Sequence, residues 1–424
     1  MAAPLFSRHF TCSCAVLLCV LLLSAGATAY GSGSFIKPGL DQQESQDSVE
    51  TTIERRDALD YDPTRRSLFP DFYYKMRDWR EKMFSRIRLK SSFSYDTLGQ
   101  AVVDRDSSDS AAAGDLTFSA NWLIAGEKYN KPIYLSFRVR HRHAYGTRSP
   151  MELGPVNGLL WKTVDGFNDT GFQVPDLYFS QELYDGRMTL RYGQYGIDTF
   201  FDNHSLRSGK RFFLNRIFSK NPSAGFPSYG TGFALQWNDT RNWDFSFGGS
   251  NIQSTDALGR EEINLSLGSS ALFYAVQGGY NFEGISKRNA RIQCMIWDTE
   301  ENSEENLPSG RGVSLTFEHS GNLETERYVA RVAVSEGSAA LVDRLFMVAY
   351  GREIRKYDHI GVGFGTGRSS INTNRWQALA EVYYRWQVTK ELIITPDLQV
   401  IVGQGLDHGE SMHIVAGIRA GLTF

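Results

Sequence analysis

The chain has 424 residues, 41% hydrophobic, 13% aromatic and 22% charged, with a formal net charge of −3. That length allows two or three globular domains, the balanced charge excludes a general nucleic-acid binder, and the apolar content excludes a disordered chain. Past the N-terminus there is no run of 18 apolar residues, which excludes a helical membrane bundle, while 27 Phe, 20 Tyr, 8 Trp and 40 Gly against 12 Pro favour β-structure.

Residues 1–29 have the layout of a cleaved secretory signal peptide. Arg8 and His9 precede an apolar core, Ala15 to Leu23, which is too short for a membrane anchor, and Ala27-Thr28-Ala29 supplies small residues for cleavage after Ala29. Cys12, Cys14 and Cys19 leave with it, so the exported chain, with Cys294 alone, is expected to hold no intramolecular disulfide. Residues 30–68 are polar and acidic and are expected to form a flexible arm. Over 69–86 the spacing of Phe72, Met76, Trp79 and Met83, with basic residues between and Pro70 near the start, predicts an amphipathic helix. Such a helix packs on the rest of the protein, or touches a membrane surface or plugs a pore.

From residue 87 the period becomes two. Counting back from Phe424, Leu422, Ala420, Ile418, Ala416 and Ile414 share one face, and Thr423, Gly421, Arg419, Gly417 and His413 the other, with Val415 the exception. A strand apolar on one side and polar on the other fits a lipid-facing barrel strand. Trp376, Ala378, Ala380, Val382, Tyr384 and Trp386 repeat the pattern against Gln377, Glu381, Tyr383 and Arg385. The next strand alternates Leu392 to Val402 with Thr395, Asp397 and Gln399, and its Pro396 predicts a local bulge. About sixteen such segments occur, each near the length a tilted strand needs to cross a bilayer. They run near 87–97, 115–124, 132–143, 176–183, 187–194, 230–238, 242–251, 271–281, 289–299, 311–319, 326–335, 344–351, 358–366, 375–388, 390–402 and 413–424. Short and long connections alternate between them, as periplasmic turns and extracellular loops do in a transmembrane antiparallel β-barrel. The domain reading is therefore an all-β barrel over 87–424, preceded by a short periplasmic helix. An even strand number puts both ends on the periplasmic side.

The longest connection, 195–229, is long enough to fold inward and narrow a channel. Asp198, Asp202, Asn203, Arg207, Lys210, Arg211 and Asn215 offer donors and acceptors for hydroxyls. Phe200, Phe201, Phe212 and Phe213 offer flat faces on which a sugar could stack, or else anchor the loop to the wall.

These residues carry a resemblance. The segment EVYYRWQVTKELIITPDLQVIVGQG, followed by a last strand ending in Phe424, is similar to the signature of the carbohydrate-selective outer-membrane porin family. So is the stretch from GRMTLRYGQYGIDTFFDNHS to RFFLNRIFSKNPSAGFPSYGTGFALQW, with landmarks at Phe213, Asn215, Asn221, Pro222, Pro227 and Gly230. The family's Trp-Gly-Gly pattern before the first helix is absent; Asp78-Trp79-Arg80 is the nearest match. The resemblance implies a sixteen-stranded barrel in the bacterial outer membrane that passes glucose and other small sugars by diffusion, with charged residues around the eyelet.

Arg138, Arg140 and Arg142 form a basic ladder on the expected lumen face, which Arg191 could extend; Gln377, Glu381, Arg385 and Asp397 share that face across the barrel. A rigid guanidinium fork suits sugar hydroxyls, although such charges also simply keep a lumen wet. Leu422 and Phe424 are the expected recognition end for the barrel-assembly machinery. No cofactor, metal site or catalytic group is expected. Gly361, Gly363, Gly365 and Gly367 alternate within a strand and suggest a smooth lumen face rather than a nucleotide loop. The expected partners are small carbohydrate solutes, outer-membrane lipids and lipopolysaccharide, and copies of the chain in a homotrimer. The rival readings are an anion-, phosphate- or general-diffusion porin, a barrel adhesin, and a lipase-type barrel enzyme.

Overall fold

The computed structural model describes residues 47–424 except 63, 104–107, 128–130, 239–241, 253–270, 284–288, 304–305, 322–324 and 407–410. The signal peptide expected over 1–29 and the first part of the 30–68 arm lie outside the described residues.

Sixteen strands form one antiparallel sheet. They are β1 (Leu89–Val103), β2 (Ser108–Ala125), β3 (Ile133–Ala144), β4 (Gly171–Leu183), β5 (Met188–Tyr195), β6 (Gly230–Asn238), β7 (Trp243–Asn251), β8 (Leu272–Glu283), β9 (Asn289–Thr299), β10 (Gly310–Ser320), β11 (Glu326–Gly337), β12 (Val342–Arg355), β13 (Asp358–Ser369), β14 (Trp376–Gln387), β15 (Leu392–Gly403) and β16 (Ser411–Thr423). Each pairs with its chain neighbours, and β1 pairs with β16, from Ser94 against Thr423 to Val103 against Ile414, so the sheet closes. The amide of Phe424 donates to the carbonyl of Phe93 and the amide of Phe93 to that of Phe424, at 2.7 and 2.9 Å, extending the seam to the last residue. Closure leaves no edge, as backbone in a lipid solvent requires. Among the described residues no helix is long and apolar enough to cross a membrane.

The strand faces follow the sequence. On β16, Ile414 and Ile418 are exposed while His413, Val415 and Arg419 are buried. On β14, Trp376, Val382 and Trp386 point out, and Gln377, Glu381 and Arg385 point in. Aromatic rings gather on the outward face near the short turns, as in the row Trp237, Phe245, Trp243, Tyr280 and Phe282, where successive ring centroids lie 4.4–6.0 Å apart. They form part of an interfacial girdle.

Three local expectations change. Pro396 leaves its neighbours Tyr384 and Arg385 out of the β14–β15 ladder, but the register is the same on both sides of the gap, so no bulge forms. The absent proline N–H costs ladder bonds without adding a residue. Register shifts lie instead on the β2–β3 pairing, on β12–β13 and, opposite Pro175, between Arg138 and Arg140 on β3–β4. Strict alternation of short and long connections fails at β1–β2, β11–β12, β13–β14 and β15–β16, where only 104–107, 338–341, 370–375 and 404–410 intervene. At the first of these, β2 runs back through Ala111, Ala112 and Ala113, whose small side chains give no contrast between faces by which sequence could place the strand. Finally, Cys294, on the outward row of β9, is disulfide-bonded in the full-length chain. The other cysteines, Cys12, Cys14 and Cys19, all precede the expected cleavage site, so the expectation of no disulfide holds at most for a processed chain.

Helix α1 (Val49–Asp60) lies within the segment expected to be a flexible arm. The Ser48 hydroxyl caps it by accepting from the Thr51 amide at 3.1 Å. Helix α2 (Pro70–Ile87) coincides with the expected amphipathic helix. It sits at the short-turn end beside the start of β1, with Phe72 edge-on to Phe424 at 4.9 Å. Its buried residues are Tyr73 and Arg80, while Phe72 and Trp79 of the expected packing face are exposed. Polar contacts decide that orientation: Asp60 accepts from both the Tyr73 hydroxyl and the Arg80 guanidinium at 2.5 Å.

Candidate functional site

Among the described residues, two connections fold into the barrel. One is 145–170, with helix α3 (Pro150–Val156) closed by a Ser149–Glu152 capping box. The other is 196–229, with helix α4 (Arg216–Ser219), whose first turn is capped by the Asn215 side-chain oxygen accepting from the Ile217 amide at 3.2 Å. Both are held by inward residues of β14 and β15. Glu381 accepts from the amides of Leu214 and Asn215, at 2.5 and 3.1 Å. The Asn215 side chain donates to Gln399 at 2.9 Å. Gln377 accepts from the Leu160 amide at 3.0 Å, and Gln399 donates to the Thr163 carbonyl at 2.9 Å.

The glycine row of β13 is the groove that receives the longer loop. A Cβ added at Gly363 would stand 2.6 Å from the Phe218 ring and 3.0 Å from that of Phe213; at Gly365 it would stand 2.4 Å from Ile217. The apolar residues that break the lumen pattern, including Val415, Leu379, Met347 and Ile401, lie in the same buried cluster as Phe213, Ile217 and Phe218. Lumen-facing apolar side chains are therefore loop-docking positions.

The loops and the β1–β4 wall enclose a cavity of about 120 Å³. Of the residues proposed from sequence, Arg138, Arg140, Arg142, Asp198, Arg207 and Lys210 line it. Arg138 pairs with Asp176 at 3.2 Å. Arg140 donates through Nε and Nη2 to the Gln173 amide oxygen, at 3.0 and 2.8 Å, and through Nη1 to the Tyr229 hydroxyl at 2.8 Å, with its guanidinium 4.8 Å from the Tyr229 ring centroid. Arg142 pairs with Asp115 at 2.7 Å, and Lys210 with Asp96 and Asp115 at 3.0 and 3.3 Å. Lys220 bridges Asp165 and Asp198 at 3.4 and 3.3 Å.

Burial by itself would raise Asp198, but Lys220 and Arg207 outweigh it and hold the carboxyl below its usual range. Asp165 is held low in the same way by Lys220, Arg216 and Lys162. Burial would lower Lys220 and Lys210, yet their carboxylate neighbours raise both. These loop groups are all ionised at neutral pH.

The other proposed residues serve the scaffold. Arg207, although it touches the cavity, spends its guanidinium on the carbonyls of Asp198, Phe201 and Ser219 and on the Asp198 carboxylate, and so staples its own loop. Asn203 donates to the Thr199 carbonyl at 2.9 Å. Asp202 accepts from Asn221 and Ser314, at 2.6 and 3.1 Å, and pairs with Arg331 at 3.4 Å. Arg191 bonds Gln236 and lies 4.3 Å from the centroid of Phe200. Arg385 donates to the Tyr357 carbonyl near the short turns, Asp397 accepts from Gln399 at 3.1 Å, and Arg211 does not line the cavity.

The stacking candidates are corrected by burial. Phe200, Phe201 and Phe213 are 0% exposed and Phe212 9%. Phe200 packs edge-on against Tyr178 and Tyr195, Phe201 against the backbone at Gly248, Phe213 against Phe218 and Tyr383, and Phe212 against His359. A ring sealed into the wall offers no face to a solute, so these four act as anchors.

Among the lining residues, sequence reasoning missed Asp115, Asp165, Asp176, Lys220 and Tyr229, together with Asp47 and Thr52 from the N-terminal segment. The lumen parity of Asp115 with Thr117 and Ser119 was legible; the inward course of 145–170 was signalled only by its length and its Leu159-Leu160-Trp161 run.

Residues 289–424, about the C-terminal third, match the model of the carbohydrate-selective porin, OprB family. The fold resembles the high-pH structure of Pseudomonas putida OprB at 15% identity and a TM-score of 0.67, over 82% of this chain and 97% of that one. It also resembles the low-pH structure of the same protein at 13% identity and a TM-score of 0.51, over 85% and 100%. No curated protein sequence matches the chain. The resemblance read from the residues holds over its most specific segment. The family match over the C-terminal third and the closed sixteen-stranded barrel agree: the chain has the fold of an outer-membrane porin.

Proposed function

We propose that the barrel passes small neutral polyhydroxylated solutes, sugars of glucose size, through the constriction between the two inward loops and the β1–β4 wall. The observation that carries this reading is the nearly cancelling charge of the lining. Arg138, Arg140, Arg142, Arg207, Lys210 and Lys220 stand against Asp115, Asp165, Asp176 and Asp198 of the wall and loops and Asp47 of the N-terminal segment, which leaves one net positive charge with that segment in place and two without it. Fixed donors and acceptors in alternation exchange with the hydroxyls of a sugar, each of which both donates and accepts. A ring of nearly balanced charge gives little advantage to either ion. The arginine ladder that would favour an anion-preferring pore is matched by carboxylate or amide oxygens at each step.

The test is single-channel recording of the purified protein in planar bilayers. Weak anion preference with concentration-dependent block by glucose or maltodextrins is expected. Strong anion selectivity without sugar block would overturn the reading.

A further inference from the structure

Helix α1 does not belong to the wall or to either inward loop, yet it stands inside the barrel. Its N-terminal end touches the constriction. The Asp47 carbonyl accepts from Arg138, and the Asp47 carboxylate accepts from Ser208 of the long inward loop at 2.6 Å. Glu50 accepts from the Tyr178 hydroxyl at 2.7 Å and from Ser136 at 2.8 Å, two residues directly opposite one another on β4 and β3. Asp47 and Thr52 line the constriction cavity on this side.

The other end is tied to the short-turn end. Arg56 donates to the carbonyls of Lys390 and Thr423, at 3.3 and 3.0 Å, and Lys390 donates to the Asp60 carbonyl at 2.8 Å. Beyond the helix, Asp62 pairs with Lys356 at 2.6 Å and Arg65 with Asp358 at 3.0 Å. Glu391 accepts from Ser67 and from the Leu68 amide. Twelve residues of helix span about 18 Å, so α1 runs from the eyelet to the periplasmic mouth.

We propose that α1 is a tethered occupant of the solute path. Asp47 and Glu50 hold the Arg138, Ser136 and Tyr178 donors that a passing solute would use, and the segment leaves them when the pore conducts. The distribution of contacts supports displacement. The eyelet end combines the polar contacts of Asp47 and Glu50, which water or a hydroxylated solute can replace, with the buried side chains of Val49 and Ile53, whereas the periplasmic end is latched to two turns and the C-terminal strand. The segment can therefore swing about its latch without detaching. The inference shares the eyelet with the sugar reading but does not require that the solute be a sugar.

The experiment compares the full chain with a variant lacking residues 32–62, both refolded and checked for the heat-modifiable barrel band, by conductance in potassium chloride alone. A helix with its side chains is about 10–12 Å across, so its removal is expected to raise conductance about twofold or more. A second variant, Asp47→Cys with Ser208→Cys, locks α1 to the loop where the two side chains now touch. Oxidised, it should conduct no more than the full chain with long openings lost, and reduction should restore them. Unchanged conductance on deletion in a folded barrel, or equal conductance of the oxidised and reduced lock, would overturn the proposal. Glucose block of the deletion variant reads the sugar site separately: higher conductance without block keeps the occupant and removes the sugar.

Discussion

Charge balance at the constriction can be shifted in either direction from a single ion pair. Asp165 and Lys220 lie 3.4 Å apart, and their side chains, 22% and 29% exposed, are among the more accessible charged groups of the lining. Asp165→Asn leaves Lys220 still paired with Asp198 at 3.3 Å, so the loops keep their tie while one negative charge disappears. A unit charge ~6 Å from a permeating ion in water contributes ~0.7 kcal/mol, favouring one sign and opposing the other, so the differential is ~1.4 kcal/mol without screening. Ionic strength near 0.1 M roughly halves it. Since 1.4 kcal/mol is a factor of ten, Asp165→Asn should raise the chloride-to-potassium permeability ratio about threefold to tenfold, with the larger value at low salt. Lys220→Gln should lower it by a similar factor, and the double variant should return to the parent value. The assay is the reversal potential across a salt gradient in planar bilayers. Shifts of the same sign for the two single variants, or none in either, would refute the assignment of this cavity as the selectivity-setting constriction.

Phe200→Ala removes a sealed ring and should cost about 3–5 kcal/mol locally, seen as a lower unfolding temperature and noisier open-channel current; loss of glucose block with unchanged stability would restore a stacking role. Gly363→Val places methyl groups where the rings of Phe213 and Phe218 lie, and overpacking costs typically ~1–3 kcal/mol. The loop should be pushed off β13 toward the pore axis, and a single-channel conductance equal to the parent's would contradict that docking. The latch of α1 should weaken in acid. Lys356 and Thr64 hold the Asp62 carboxyl below its usual range. Burial would raise Glu391, but the Ser67 hydroxyl and the Leu68 amide lower it. Carboxyls depressed in the folded state contribute stability that is complete above the unfolded carboxylate pKa and lost as pH falls through the folded values. Proteolysis within residues 47–68 should thus be slow at pH 7 and accelerate below about pH 4, with the barrel still intact on gels; cleavage independent of pH would exclude these two carboxylates as the latch.

The barrel was legible residue by residue because its solvent is two-sided. Lipid outside and water inside impose a period of two on each strand, and that period survives in Ile414 to Leu422 and in Trp376 to Trp386 without any knowledge of partners. Even Val415, the exception on the last strand, carried information, since an apolar lumen residue in a wet pore marks where something docks. The faces of the inward loops were not legible. Phe200 and Asp198 are two residues apart in an aperiodic loop, yet one is sealed against Tyr178 and Tyr195 while the other reaches the eyelet; only the wall opposite decides which. Asp202 likewise looked like a hydroxyl ligand, but β10 and β11 supply Ser314 and Arg331 to hold it. The N-terminal segment shows the same limit most clearly. A polar stretch with little apolar contrast reads as a flexible arm, because sequence weighs burial as apolar burial. Inside a polar lumen a mostly polar helix can be buried through hydrogen bonds beside only a few apolar side chains, here Val49, Ile53 and Leu59, and closure of β1 on β16 creates the enclosure in which α1 lies.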